Sequence, residues 1–143
     1  MNVARLYTPE LLGLTVELAG WPPMENLPLH GSARSATCGS TLGIDLALDE
    51  GGAIDCLGLR VRACAVGQAS AAIFARHAKG RDLAAITSAH DRIEGWLDAE
   101  APIAEWPDMV LLAPAREFPG RHGAILLPWK AAIEALSSGP VPS

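Results

Sequence analysis

A chain of 143 residues suits one domain and leaves little room for two. Half of its residues are apolar and 19% are charged, which excludes a disordered chain, because enough apolar surface is present to offset ordering entropy. The formal charge of −5 with scattered basic residues excludes a general nucleic-acid binder, and three cysteines are too few, and odd in number, for a secreted disulfide framework. No apolar run approaches the ~18 residues of a membrane span. The opening stretch is interrupted by Arg5, Pro9 and Glu10 and does not read as a signal peptide. The expectation is a single domain over 1–143, in a reducing, cytoplasmic setting, without nucleic-acid or membrane partners, and with a frayed tail at 138–143.

In chain order, Thr8 caps a first helix, Pro9 fits its first turn, and Gly20 with Pro22-Pro23 ends it. Its apolar face is predicted to be Leu11, Leu12, Thr15, Val16 and Ala19. Residues 24–28 read as loop and 30–37 as a short polar strand. From Thr41 to Asp49 apolar residues alternate, with Leu42, Ile44, Leu46 and Leu48 inward and Thr41, Asp45 and Asp49 outward. Glu50-Gly51-Gly52-Ala53 is a hairpin turn, and Ile54 to Ala63 alternates again, with Arg60 and Arg62 outward. A helix follows over 66–78, ended by Arg76, His77, Lys79 and Gly80. Asp82 caps another helix running to about Leu97. Residues 101–107 read as loop, 108–117 as a short helix broken near Pro114, and 128–137 as a last helix with Trp129, Ala132, Ile133 and Leu136 on one stripe. Strands first and helices later imply an α+β domain: a small antiparallel sheet of about three strands around the hairpin, with helices packed on one face.

The hairpin carries a chemical expectation. With Gly51 and Gly52 as the two turn residues, partner numbers sum to 103 and Cys64 falls opposite Gly39. Cys38 and Cys64 then share the open end of the hairpin. Cys64 also ends a strand just before a helix, where unpaired N–H groups favour a thiolate. Cys56 shares strand parity with Cys64 but sits roughly 27 Å away along the strand, and reads as a small core hydrophobe. Among the histidines, His77 reads as a helix C-terminal cation and His90 as a packed boundary residue. His30 and His122 read as loop residues beside glycines. Asp45, Asp49, Asp55 and Asp108 read as solvated faces and caps. No nucleophile elbow, phosphate loop, dinucleotide fingerprint or zincin motif is present.

With these residues in place, the chain resembles the iron–sulfur cluster assembly scaffolds of the IscU/NifU-like type. The family's Cys-Gly-Asp is matched by Cys38-Gly39-Ser40. Its second cysteine with a following small-residue helix is matched by Ala63-Cys64-Ala65-Val66-Gly67-Gln68-Ala69-Ser70, then by Ala78-Lys79-Gly80-Arg81-Asp82-Leu83. Pro119, Arg121 and Trp129 keep the frame of the third motif, but its cysteine falls on Ala124, or on Gly123 after a one-residue shift, and the family aspartate is Ser40. The resemblance implies a scaffold or sulfur acceptor rather than a turnover enzyme. It would accept sulfur, or bind iron or a 2Fe–2S cluster, or both, through Cys38 and Cys64, with His122 and Ser40 as weaker candidate ligands and Gly39 and Arg121 supporting the site. A cysteine desulfurase and other assembly proteins are the implied partners. The alternatives are a metal-free binding or regulatory module on the same fold and a zinc-binding sulfur acceptor.

Overall fold

In a computed structural model, residues 6–99, 101–103 and 105–138 are described. The first helix, α1 (Pro9–Glu17), starts where the sequence indicates. Thr8 accepts the Leu11 N–H at 3.1 Å, and a 3-10 turn over Leu18–Gly20 follows the helix. Its buried face is Leu11 and Leu14, not the predicted stripe: Leu12 is 45% exposed and Val16 76% exposed.

Three strands, β1 (Leu29–Arg34), β2 (Thr41–Leu48) and β3 (Ile54–Arg62), form an antiparallel sheet in that order. The 103 register holds from Thr41↔Arg62 to Ala47↔Cys56, yet it arises differently from expectation. The turn is a three-residue loop. Gly52 donates its N–H to Asp49 C=O and has φ +85°, and Asp49 donates its own N–H to Ala53 C=O. That arrangement is a G1 bulge. Leu48 therefore pairs with Ile54, and the irregularity next to Ala47 restores the expected numbering.

The inner face of the sheet is Leu29, Gly31 and Ala33, then Leu42, Ile44 and Leu46, then Leu57, Leu59 and Val61. On it lie α2 (Ala65–His77), against β3, and α4 (His122–Ser137), which crosses β1 and β2. A Cβ on Gly31 would collide with the backbone of Ala131 and Ala135, so α4 rests directly on β1. Between these helices come α3 (Leu83–Ala99), capped by Asp82 to the Ala85 N–H, and a 3-10 helix over Met109–Glu117 that runs unbroken through Pro114.

The last helix, α4, begins six residues earlier than its proline suggests. Pro128 lies inside it, and the buried run Ala124 to Leu127 precedes that proline. The core is sealed by Phe74, Trp106 and Trp129, with ring centroids 5.2–5.5 Å apart. Of the expected frayed tail, only Ser138 lies within the described residues, donating its N–H to Glu134 C=O.

Candidate functional site

The end of the sheet opposite the hairpin turn brings three segments together. The first is the β1–β2 loop. Ser35 donates its N–H to Ser40 C=O at 2.8 Å, and Gly39, at φ +70°, donates its N–H back to Ser35 C=O at 3.1 Å. Gly39 is thus a loop residue, and the ladder stops at Thr41↔Arg62 rather than pairing Gly39 with Cys64. Only glycine takes that left-handed φ without a steric cost.

Cys38 sits exposed at the tip of this loop, with its Sγ 3.0 Å from Ser40 Oγ and 3.3 Å from Ser35 Oγ. The donors order themselves. In the thiol form Thr37 O–H donates to Gly120 C=O at 3.3 Å, Thr37 Oγ1 accepts from Ser35, and Ser35 Oγ accepts the Cys38 S–H; once the sulfur is ionised, the Ser35 hydroxyl is free to turn and donate to it. The Ser40 hydroxyl is left to donate to the sulfur. Burial pushes the Cys38 thiol up, but the hydroxyls of Ser35 and Ser40, the Ser40 backbone and the charge of Arg121 outweigh it. The thiol is held below its ordinary range.

The second segment is the start of α2. Cys64, expected beside a helix start, is the N-cap residue itself: its backbone is extended and its C=O accepts the Gln68 N–H at 2.9 Å. Its side chain is half-buried against the core.

The third segment is the first turn of α4. A Cβ on Gly123 would lie 2.5 Å from Ser35 Oγ and 3.4 Å from Thr37 Oγ1, so this turn seats against the Cys38 loop. A Cβ on Gly67, in the first turn of α2, would come within 3.3 Å of the Ala124 Cβ, so the same turn also seats against α2. Gly123 and Ala124 therefore stand between the segments that carry Cys38 and Cys64.

His122 is not in a loop but is the first residue of α4, and its ring is engaged elsewhere. Nε2 donates to Arg116 C=O at 2.7 Å, and Nδ1 lies 4.0 Å from Asp98. Among the described residues no group of three or more His, Cys, Asp or Glu side chains is arranged to hold a metal ion. Cys56 is not a core cysteine. It faces outward on β3, half-buried, opposite Ala47. His30 is a strand residue rather than a loop one. His77 does close α2, paired through Nε2 with Asp108 at 2.7 Å, which removes Asp108 from the solvated acids. His90 is packed, as expected, with Nδ1 3.0 Å from Asp91.

A polar cluster on the outer sheet face escaped the sequence reading. Asp45, expected to be solvated, is 0% exposed. It accepts from Arg60 Nη2 and the Met24 N–H, both at 2.9 Å, and from His30 Nδ1 at 2.7 Å. The segment Trp21–Met24 crosses the sheet there, and a Cβ on Gly58 would strike Pro22 and Met24. The register carried the signal for the ion pair, since Asp45 opposes Gly58 and so makes Arg60 its diagonal neighbour.

No protein-family model and no curated protein matches the sequence. Solved structures do match. A nitrogen-fixing NifU-like protein (N-terminal) from Brucella abortus is similar at TM-score 0.85 and 25% identity, covering 94% of each chain. A protein from Fervidobacterium islandicum AW-1, described as an iron–sulfur cluster assembly scaffold for the SUF system, is similar at TM-score 0.76 and 19% identity, over 94% of this chain and 99% of that one. In architecture the chain is IscU/NifU-like.

Proposed function

We propose that the chain is a scaffold-type protein of iron–sulfur cluster assembly that accepts sulfur on Cys38 and, with Cys64, holds iron or a nascent 2Fe–2S cluster as cargo. The observation that carries the reading is the position of both cysteines at one end of a NifU-like sheet, with the Cys38 sulfur beside the Ser35 and Ser40 hydroxyls and within the field of Arg121. The sulfur step is a thiol exchange. The Cys38 thiolate attacks the outer sulfur of a partner's persulfide, a sulfur–sulfur bond forms on Cys38, and the partner's cysteine leaves as a thiolate that takes up a proton. A cysteine desulfurase is the class of partner that supplies such a persulfide, and the role is that of a carrier rather than a turnover enzyme.

The donor set fits transfer better than long residence. A 2Fe–2S cluster is held by four ligands, mostly thiolate. This end of the molecule offers two thiols, the Ser40 hydroxyl, and a His122 ring committed to Arg116. The same shortage of ligands favours one second reading, a metal-free binding or regulatory module on this fold. A zinc-binding sulfur acceptor would likewise need donors beyond the two thiols.

Anaerobic reconstitution with iron and sulfide, followed by visible spectroscopy, separates these readings. The scaffold reading expects charge-transfer bands that Cys38→Ser and Cys64→Ser each diminish. It also expects Cys38 to gain one sulfur atom by mass after incubation with a desulfurase and cysteine. A colourless chain that gains no sulfur leaves the metal-free module. Stoichiometric zinc that is lost in Cys64→Ser establishes the zinc reading.

A further inference from the structure

The net negative charge of the chain is unevenly placed. Asp49, Glu50, Asp55 and Asp82 gather at the hairpin-turn end and outnumber Lys79 and Arg81 there, the segment 79–82 being held by Ile54, whose N–H bonds Arg81 C=O. The other end, roughly 25 Å away along an eight-residue strand, carries Arg34, Arg60, Arg62 and Arg121. Register places Arg34, Thr41 and Arg62 in one row across the sheet, and Ser32, Gly43 and Arg60 in the next. These six, with Ala33 and Leu42, line an open trench of about 530 Å³ on the face away from α4.

The floor of the trench is low because Gly43 has no side chain. The nearest atom to a Cβ built there is Arg60 Nη1, at 3.5 Å. One end of the trench is stopped by buried Asp45 under Met24, and the other runs out toward the loop bearing Cys38. Arg60 is shared between Asp45 and, at 3.6 Å, Glu25. Among the described residues neither Arg34 nor Arg62 has a carboxylate within ion-pair distance.

We propose that this trench docks an extended, carboxylate-bearing segment of a partner protein, laid along β2 toward Cys38. Arg60 keeps its fork on Asp45, so the open guanidinium groups are those of Arg34 and Arg62, which stand on either side of Thr41 in one row across the sheet. Arg34 flanks the same groove from β1. Guanidinium forks pair with carboxylates through two parallel hydrogen bonds, a geometry that rewards acidic side chains in the docked segment. A nucleic acid fits less well. None of the eight lining residues is aromatic, so bases find no stacking platform. The inference goes beyond the scaffold reading and its test contains neither iron nor sulfide, so either can fail while the other stands.

The test is fluorescence anisotropy with a labelled peptide of alternating glutamate and serine, paired with backbone amide shifts of the wild-type chain on adding the unlabelled peptide. Saturable binding is expected at about 0.05 M NaCl and should weaken strongly at about 0.3 M as screening shortens. The double variant Arg34→Gln/Arg62→Gln is expected to bind about tenfold more weakly, while Lys130→Gln, on the opposite side, changes affinity less than about twofold. Shifts should concentrate at residues 32–34, 41–43 and 60–62, a readout that needs no variant to fold. Absence of saturable binding, equal loss in Lys130→Gln, shifts centred elsewhere, or tighter binding of a single-stranded deoxythymidine oligonucleotide would overturn the proposal.

Discussion

Cys38 and Asp45 show how neighbours rather than residue type set chemistry. Around Cys38, hydroxyls and the Arg121 charge more than offset burial and favour the thiolate. The alkylation rate of Cys38, followed by mass spectrometry against pH, should therefore reach half its maximum below the pH expected of a free cysteine. Ser40→Ala should move that midpoint upward, because one donor to the sulfur is gone. Burial pushes the Asp45 carboxyl up, but His30, the Met24 N–H and Arg60 outweigh it, and it stays below the usual carboxylate range. A carboxyl depressed on folding adds stability above its unfolded pKa of about 3.9, and that stability is lost as pH falls through the folded value. Asp45→Asn is expected to cost about 2 kcal/mol near neutral pH, a figure moderated by half-exposed His30 and Arg60. Urea unfolding in neutral and acidic buffer should show the gap between variant and wild type closing in acid.

Elements differ in how far local pattern fixes them. The β2–β3 hairpin follows from alternation of apolar residues over both strands, and its register survives a turn of different type because the irregularity beside Ala47 absorbs the extra residue. The start of α4 does not follow from local pattern. A proline reads as the first turn of a helix, yet the apolar run Ala124 to Leu127 has a core to bury against, and Pro128 is carried inside. The face of α1 is decided the same way. Leu11 and Leu14 meet α2, whereas Leu12 and Val16 point outward. Contact between elements also sets the cost of substitutions. Gly31→Ala should destabilise by about 3 kcal/mol or more, because the backbone of α4 leaves no room for a Cβ. Gly13→Ala on open α1 should stabilise by about 0.5–1 kcal/mol. Thermal or urea unfolding of the two variants reads this contrast directly.

Across the whole molecule, the first turn of α4 is what joins the two cysteine-bearing segments. Gly123 touches the Cys38 loop and Ala124 touches the start of α2. Gly123→Ala would press on Ser35 Oγ, so it is expected to cost about 1–2 kcal/mol and to slow Cys38 alkylation at neutral pH as the serine is displaced from the sulfur. Unfolding and alkylation measured on one sample test whether the two effects travel together. The sequence by itself determined the hairpin, its register, the caps at Thr8 and Asp82, and hence the common end for Cys38 and Cys64, because these rest on period and on neighbours close along the chain. Only the tertiary structure decided that Asp45 is buried, that His122 is committed to Arg116, and that Ser35 and Thr37 meet α4. Those contacts depend on which face of one element another comes to cover; Thr37 and Gly120 stand 83 residues apart, and no local pattern spans that distance.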